Sequence, residues 1–177
     1  MHFEKITYNQ WLTDMTKYFG GLNEEKTEEI SNMYKDIKLP KRATKHSAGY
    51  DFFIPANLLI PMEENVVIPT GIRWVCDKEE DKDKVLSIYP RSGLGFKTGI
   101  HLMNTVGIID ADYYEADNEG HIMIKMCNPM GLHTNPRGNI EIKIGEAFAQ
   151  GIITQFYACD NEEEVTAERT GGMGSTD

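Results

Sequence analysis

Long apolar runs are missing from this 177-residue chain. None approaches the roughly 20 residues that cross a bilayer, and the first residues lack a basic segment leading into an apolar stretch. Neither a membrane anchor nor an export signal is expected, and the cytoplasm is the expected location. Cysteine is scarce: Cys76, Cys127 and Cys159 lie far apart with no C-x-x-C pair. That pattern points to neither a disulfide framework nor a zinc site. Positive charge is short as well, with 18 Lys and Arg against 28 Asp and Glu for a net charge of −10. Binding nucleic acid relies on many cations neutralising phosphates, so no nucleic-acid groove is expected. A small polyanion remains compatible, because a few local cations and a divalent metal can outweigh an acidic surface screened beyond about 8–10 Å.

Hydrophobic residues make up 40% of the chain, enough for one core and one domain with an appendage. Near the start, Thr7 and Gln10 form a capping box, and Tyr8, Trp11, Leu12, Met15, Tyr18 and Phe19 recur at helical spacing until Gly20-Gly21. A second, weaker helix is expected from Asn23 to about Tyr34. Together these define residues 1–36 as a helical extension docked on the body. From Lys38 the pattern changes to short apolar runs broken by Gly, Pro and Asn, at 52–54, 65–68, 72–76, 85–89, 121–127, 140–144 and 151–157. Many short strands without helical periodicity between them predict an all-β barrel or sandwich over residues 37–165.

The last residues, Arg169-Thr-Gly-Gly-Met-Gly-Ser-Thr-Asp177, combine a cation, hydroxyls and glycines in one short stretch. Backbone N–H groups freed by glycine can turn toward a single anion, and the arginine and hydroxyls add donors. Residues 166–177 therefore read as a tail that closes on phosphate. Four further segments precede it in order: Ala48-Gly-Tyr-Asp-Phe52, Arg91-Ser-Gly-Leu94, Gly107-Ile-Ile-Asp-Ala-Asp-Tyr113 and Gly145-Glu-Ala-Phe-Ala-Gln150. With the tail, these five motifs resemble those of the trimeric deoxyuridine triphosphatase (dUTPase) family. The resemblance runs from Leu39 to Asp177 and leaves the first thirty-odd residues outside it.

That resemblance implies a β jelly roll that hydrolyses dUTP to dUMP and pyrophosphate with Mg2+, keeping uracil out of DNA and supplying dUMP for thymidylate synthesis. It assigns Asp110 as the carboxylate that orients the attacking water, a role such a group can perform within hydrogen-bond reach. Tyr113 would pack against the deoxyribose and exclude a 2′-hydroxyl, with Tyr114 beside it as the alternative. Asn104 and the backbone near Gly107 would read the uracil edge, although a turn role suits Asn104 equally. Arg91, Ser92, Gly93 and Gln150 would hold phosphate oxygens, and Asp51 would organise Mg2+ through water. In the tail, Arg169 would stabilise phosphate charge, with Met173, Gly174 and Ser175 covering the nucleotide. The family's assembly is a homotrimer whose sites draw the first-motif groups, the Asp110 hairpin and the Arg169 tail from different chains.

The sequence also departs from the family pattern. Ala147 stands where Arg is usual, Gly151 where Leu is usual and Met173 where an aromatic is usual. Residues 115–119 intervene before Gly120 and read as an acidic insertion at the mouth of the site, while Asp112 reads as a turn residue. Two other readings compete. A deoxycytidine triphosphate deaminase would share the fold, but Lys125 occupies the position of its proton-shuttling glutamate. A dUTPase-like protein with a protein-interaction role would use the helical N-terminus for a partner.

Overall fold

The structure, a computed structural model, describes every residue except 22, 130–137, 164, 168 and 172–177. In chain order its elements are β1 (His2–Lys5), α1 (Tyr8–Phe19), α2 (Glu24–Asp36), β2 (Lys41–Arg42), β3 (Tyr50–Phe53), β4 (Leu58–Ile60), β5 (Asn65–Pro69), β6 (Ile72–Val75), β7 (Lys84–Pro90), α3 (Ser92–Thr98), β8 (His101–Leu102), β9 (Gly107–Asp110), β10 (Met123–Cys127), β11 (Ile140–Ile142) and β12 (Ala147–Gln155). Every strand pairing among the described residues is antiparallel, and the body is mostly β, as the short apolar runs predict. Its largest sheet has the order β2-β3-β12-β7-β9, and smaller sheets pair β5-β10-β8, β11-β4 and β1-β6.

β7 is the strand that positions the site. Its first half pairs with β9, placing Val85 opposite Asp110 and Ile88 opposite Gly107. Its other edge pairs with β12, where Tyr89 faces Gln150, which in turn faces Asp51 on β3. Cross-strand partners project to the same side of a sheet, so Asp51, Gln150 and Tyr89 form one row. At Gly151 a Cβ would meet Leu86 at 2.7 Å and the Phe52 ring at 3.0 Å. The core closes over this position, which accounts for glycine where the family has leucine.

The N-terminal residues are more deeply joined to the body than helical periodicity alone conveys. β1, absent from the sequence expectation, pairs with β6, and Arg73 Nε donates to Glu4 Oε1 at 2.7 Å across that pair. Thr7 caps α1 by accepting from the Gln10 N–H at 3.2 Å. The return bond of a capping box is not made by Gln10, whose amide donates to Asp14 at 3.0 Å instead. α1 ends at Gly20 in the left-handed conformation, with φ 70°. α2 runs two residues past the expected end. Trp11 is fully buried and its Nε1 donates to the Ile30 carbonyl at 3.0 Å, locking the two helices together. Trp11, Met15, Ile30 and Ile37 join Phe52, Trp74, Leu86 and Phe148 in a single core. Each such buried side chain contributes roughly 1.5–3 kcal/mol.

Candidate active site

A cleft of about 460 Å³ opens beside β9 and β10. Asn104, Gly107, Asp110, Tyr113, Lys125 and Arg169 line it together with Ile88, Leu102, Ile122 and Ile124. Four sequence-predicted residues from the third motif and its approach thus meet Arg169 from the tail. The turn bearing Asn104 leads from β8 to β9, but these strands belong to different sheets, so it is a crossover between sheets and not a laddered hairpin. Thr105 takes φ 66° there, and the Val106 N–H closes on the Asn104 carbonyl at 2.7 Å. That tight turn leaves the exposed Asn104 amide at the mouth of the cleft.

Asp110 ends β9 with its side chain half exposed. The Arg169 guanidinium donates to Asp110 Oδ2 and, through Nε, to Asp112 Oδ1 at 2.7 Å. Asp112 is therefore more than a turn residue, because it fixes the arginine that touches Asp110. Burial opposes the Arg169 charge, but the two carboxylates outweigh it and raise the guanidinium pKa further. The resemblance implies that this arginine reaches the Asp110 of another chain; here it bonds the Asp110 and Asp112 of its own.

Tyr113 opens a short 3-10 turn, Tyr113–Glu115, and is buried. Its hydroxyl donates to the His121 carbonyl at 3.1 Å and accepts from Asn118 Nδ2 at 3.1 Å, while Arg169 lies 5.7 Å from the ring centroid. Burial pushes the phenol pKa above its ordinary value. Tyr114 is not in the cleft wall: its hydroxyl donates to Glu115 at 2.7 Å and its ring lies under Lys82.

The remaining predicted residues gather elsewhere. Arg91 Nη2 lies 3.4 Å from Asp51 Oδ2, and Gln150 Nε2 donates to the Pro90 carbonyl at 3.2 Å. Arg91, Ser92 and Gln150 line a second, shallower hollow with the largely exposed Phe96. Ser92 and Gly93 open helix α3, which the two glycines of its sequence give no reason to expect. Asp110 sits opposite Val85, whereas Arg91 leaves β7 six residues further on, so about 20 Å of strand separates the two clusters. Arginine and aspartate side chains cannot bridge that span. Met173, Gly174 and Ser175 lie outside the described residues.

Among the described residues no group of three or more His, Cys, Asp and Glu side chains is placed to enclose a metal. Among the described residues Asp51 brings the carboxylate to the Arg91–Gln150 cluster, with its side chain mostly buried against Arg91. Such a donor set fits Mg2+, which keeps several waters and takes most of its oxygens from phosphates. A calcium- or zinc-type cage would need more ligands.

The family model that matches is dUTPase, over residues 35–177. The chain belongs to the dUTPase family. A curated relative from Lactococcus lactis subsp. lactis (strain IL1403), named deoxyuridine 5'-triphosphate nucleotidohydrolase, is 40% identical over 152 residues, covering 84% of this chain and 95% of the relative. A protein of the same name from Nautilia profundicola is 34% identical, covering 84% of this chain and 96% of the relative. Among solved structures, the dUTPase from Streptococcus mutans superposes with a TM-score of 0.62 at 31% identity, covering 91% of this chain and all of that one. A mutant dUTPase from phage phi11 of S. aureus, described for its coordination of a structural Mg(II) ion, superposes with a TM-score of 0.58 at 23% identity. It covers 77% of this chain and 94% of its own and attests to the fold. The all-β, dUTPase-like fold is thereby established for this chain.

Several contacts beside the cleft have no signal in the sequence, although residues 115–119 stand out there as an insertion. Asp14, Glu119 and His121 make contacts across the fold, whereas Asn118 bonds Tyr113 five positions away.

Proposed function

We propose that the protein is a dUTP diphosphatase that hydrolyses dUTP to dUMP and pyrophosphate with Mg2+. The observation that carries this reading is the cleft in which Asp110, Asn104 and Tyr113 converge with Arg169. Arg169 engages Asp110 through Oδ2, which leaves Oδ1 to orient a water and take its proton as phosphorus is attacked. The α-phosphorus is the atom attacked in this reading, with pyrophosphate leaving. Asn104 and the backbone at Gly107 pair with the uracil edge, and cytosine is rejected because it would leave those groups unpaired. Tyr113 stands against the sugar, where a 2′-hydroxyl would clash and lose its water. Mg2+, held through water by Asp51, would neutralise charge on the phosphate oxygens. Arg91, Ser92, Gly93 and Gln150 bind those oxygens, and the 169–177 tail closes over them.

The separation of the two clusters along β7 supports a homotrimer with shared sites, each copy offering its Asp110 cleft to one site and its Arg91–Asp51 cluster to another. Phe96, 89% exposed, and Ile108, 59% exposed on the edge strand β9, leave apolar surface at the margins of the two clusters, as an interface between copies requires. The cytoplasm suits this reading, and no helix among the described residues is long and apolar enough to cross a membrane. Lys125 faces the cleft from β10 with an ammonium where deamination would need a carboxylate shuttle. Release of pyrophosphate and ammonia from dUTP and dCTP tests the proposal. Pyrophosphate from dUTP without ammonia from dCTP is expected; ammonia from dCTP would overturn it.

A further inference from the structure

Residues 117–119 touch three parts of the chain in succession: the tail, the nearby Tyr113 and the N-terminal Thr7. The Asp117 N–H donates to the Thr170 carbonyl at 3.3 Å, beside the arginine that holds Asp110. Asn118 donates to the Tyr113 hydroxyl at 3.1 Å. Glu119 accepts from the Thr7 N–H at 2.8 Å and the Thr7 hydroxyl at 2.6 Å, so it supplies the bond that Gln10 does not return to the cap of α1. Gly120 follows at φ 69°, where a Cβ would lie 2.5 Å from the Tyr114 Cα, so only glycine allows the turn. The 115–119 insertion is thus tied into the fold at Asp117, Asn118 and Glu119.

His121 completes the connection. It is fully buried, and its Nε2 accepts from the Gly71 N–H at 2.8 Å. The ring hydrogen therefore sits on Nδ1, which donates to Asp14 Oδ2 at 2.6 Å. Asp14 projects from the middle of α1 and is itself only 8% exposed. With both ring nitrogens fixed, the backbone carbonyl of His121 is held as well, and that carbonyl accepts the Tyr113 hydroxyl. A buried carboxylate and imidazole are costly unless satisfied in this way.

We propose that α1 is a positioning element of the active site: through Asp14 and Glu119 it fixes the 117–121 strap, and through the strap the Tyr113 wall, thereby setting discrimination against ribonucleotides. The inference rests on the reading of Tyr113 as the wall against the sugar. Asp14, His121 and Glu119 touch no substrate in it; they act through Tyr113. A purely architectural role would lower stability and the active fraction equally for both sugars, whereas a positioning role changes the ratio between them.

The test compares kcat/KM for dUTP and UTP, with Tm, in Asp14→Ala, Asp14→Asn, Glu119→Ala, Tyr113→Phe and Tyr113→Ala. Asp14→Ala, Glu119→Ala and Tyr113→Phe are expected to raise the UTP to dUTP ratio about tenfold, as a displaced wall would. Asp14→Asn keeps an acceptor for His121 and is expected to restore the parent ratio. Adding Asp14→Ala to Tyr113→Phe is expected to change the ratio no further, because the two act through one bond. Glu119→Ala removes a half-exposed side chain, so it reads out the strap even if Asp14→Ala does not fold. If Tyr113→Ala relaxes the ratio while Asp14→Ala and Glu119→Ala stay within twofold of the parent, the positioning role is overturned and the sugar wall stands. If Tyr113→Ala itself keeps the parent ratio, the wall reading falls and the proposal with it.

Discussion

The Tyr113 hydroxyl donates to the His121 carbonyl at 3.1 Å, so the ring is fixed in the cleft wall from its oxygen end as well as by packing. Tyr114, the adjacent aromatic, faces Lys82 and Glu115 outside the cleft. Tyr113→Ala should therefore raise UTP turnover relative to dUTP by one to two orders of magnitude, about the range of a lost steric and desolvation penalty. Tyr114→Ala should leave the ratio near that of the parent. Competition between the two nucleotides in one assay measures both, and relaxation only in the Tyr114 variant would move the gate by one residue.

Asp110 carries the proposed chemistry without shaping the body, since its side chain is half exposed at the end of β9. Asp110→Asn is expected to bind dUTP normally and to lose about 10²–10⁴-fold in kcat, the usual effect of removing a general base. Calorimetric binding of a non-hydrolysable dUTP analogue separates the two quantities. Near-normal turnover would remove Asp110 from the mechanism.

Asp14 gives the fold a pH dependence of known sign. Burial pulls its carboxyl pKa up, but the hydrogen bonds from His121 and Gln10 prevail and hold it below the ordinary 3.8. A carboxyl depressed in the folded state contributes stability above its unfolded pKa and loses it as pH falls through the folded value. The Tm advantage of the parent over Asp14→Asn should thus be constant near neutrality and shrink from about pH 4 downward. An advantage that grows with acid would contradict the assignment.

Much of this site is legible in the sequence, and what is not has a common cause. Asp110, Tyr113, Asn104 and Arg169 are found because ordered motifs mark them, and α1 because its apolar spacing and Thr7 cap are local signals. β1 escapes notice because four residues with no turn signal become a strand only by pairing with β6, some seventy positions away. The Asp14–His121 bond joins residues 107 positions apart, and Thr7–Glu119 spans 112. No periodicity or motif records such contacts. Asp112 is the turn residue its place after a strand suggests, but its contact with Arg169, 57 positions away, has no local signal. α3 forms against the weak propensity of Gly93 and Gly95, so the fold and not local preference makes that helix.

Asp110 and Arg91, set about 20 Å apart along the direction of β7, are proposed to work on the same nucleotide through neighbouring copies. Co-expression of an Asp110→Asn chain with an Arg91→Ala chain tests it, read as pyrophosphate release from dUTP by the mixed assembly. Each variant alone should be nearly inactive. In a 1:1 mixture, about a quarter of shared sites would combine an intact Asp110 with an intact Arg91, so roughly a quarter of parental activity should return. A mixture as inactive as its parts would contradict the shared site and confine catalysis to single chains.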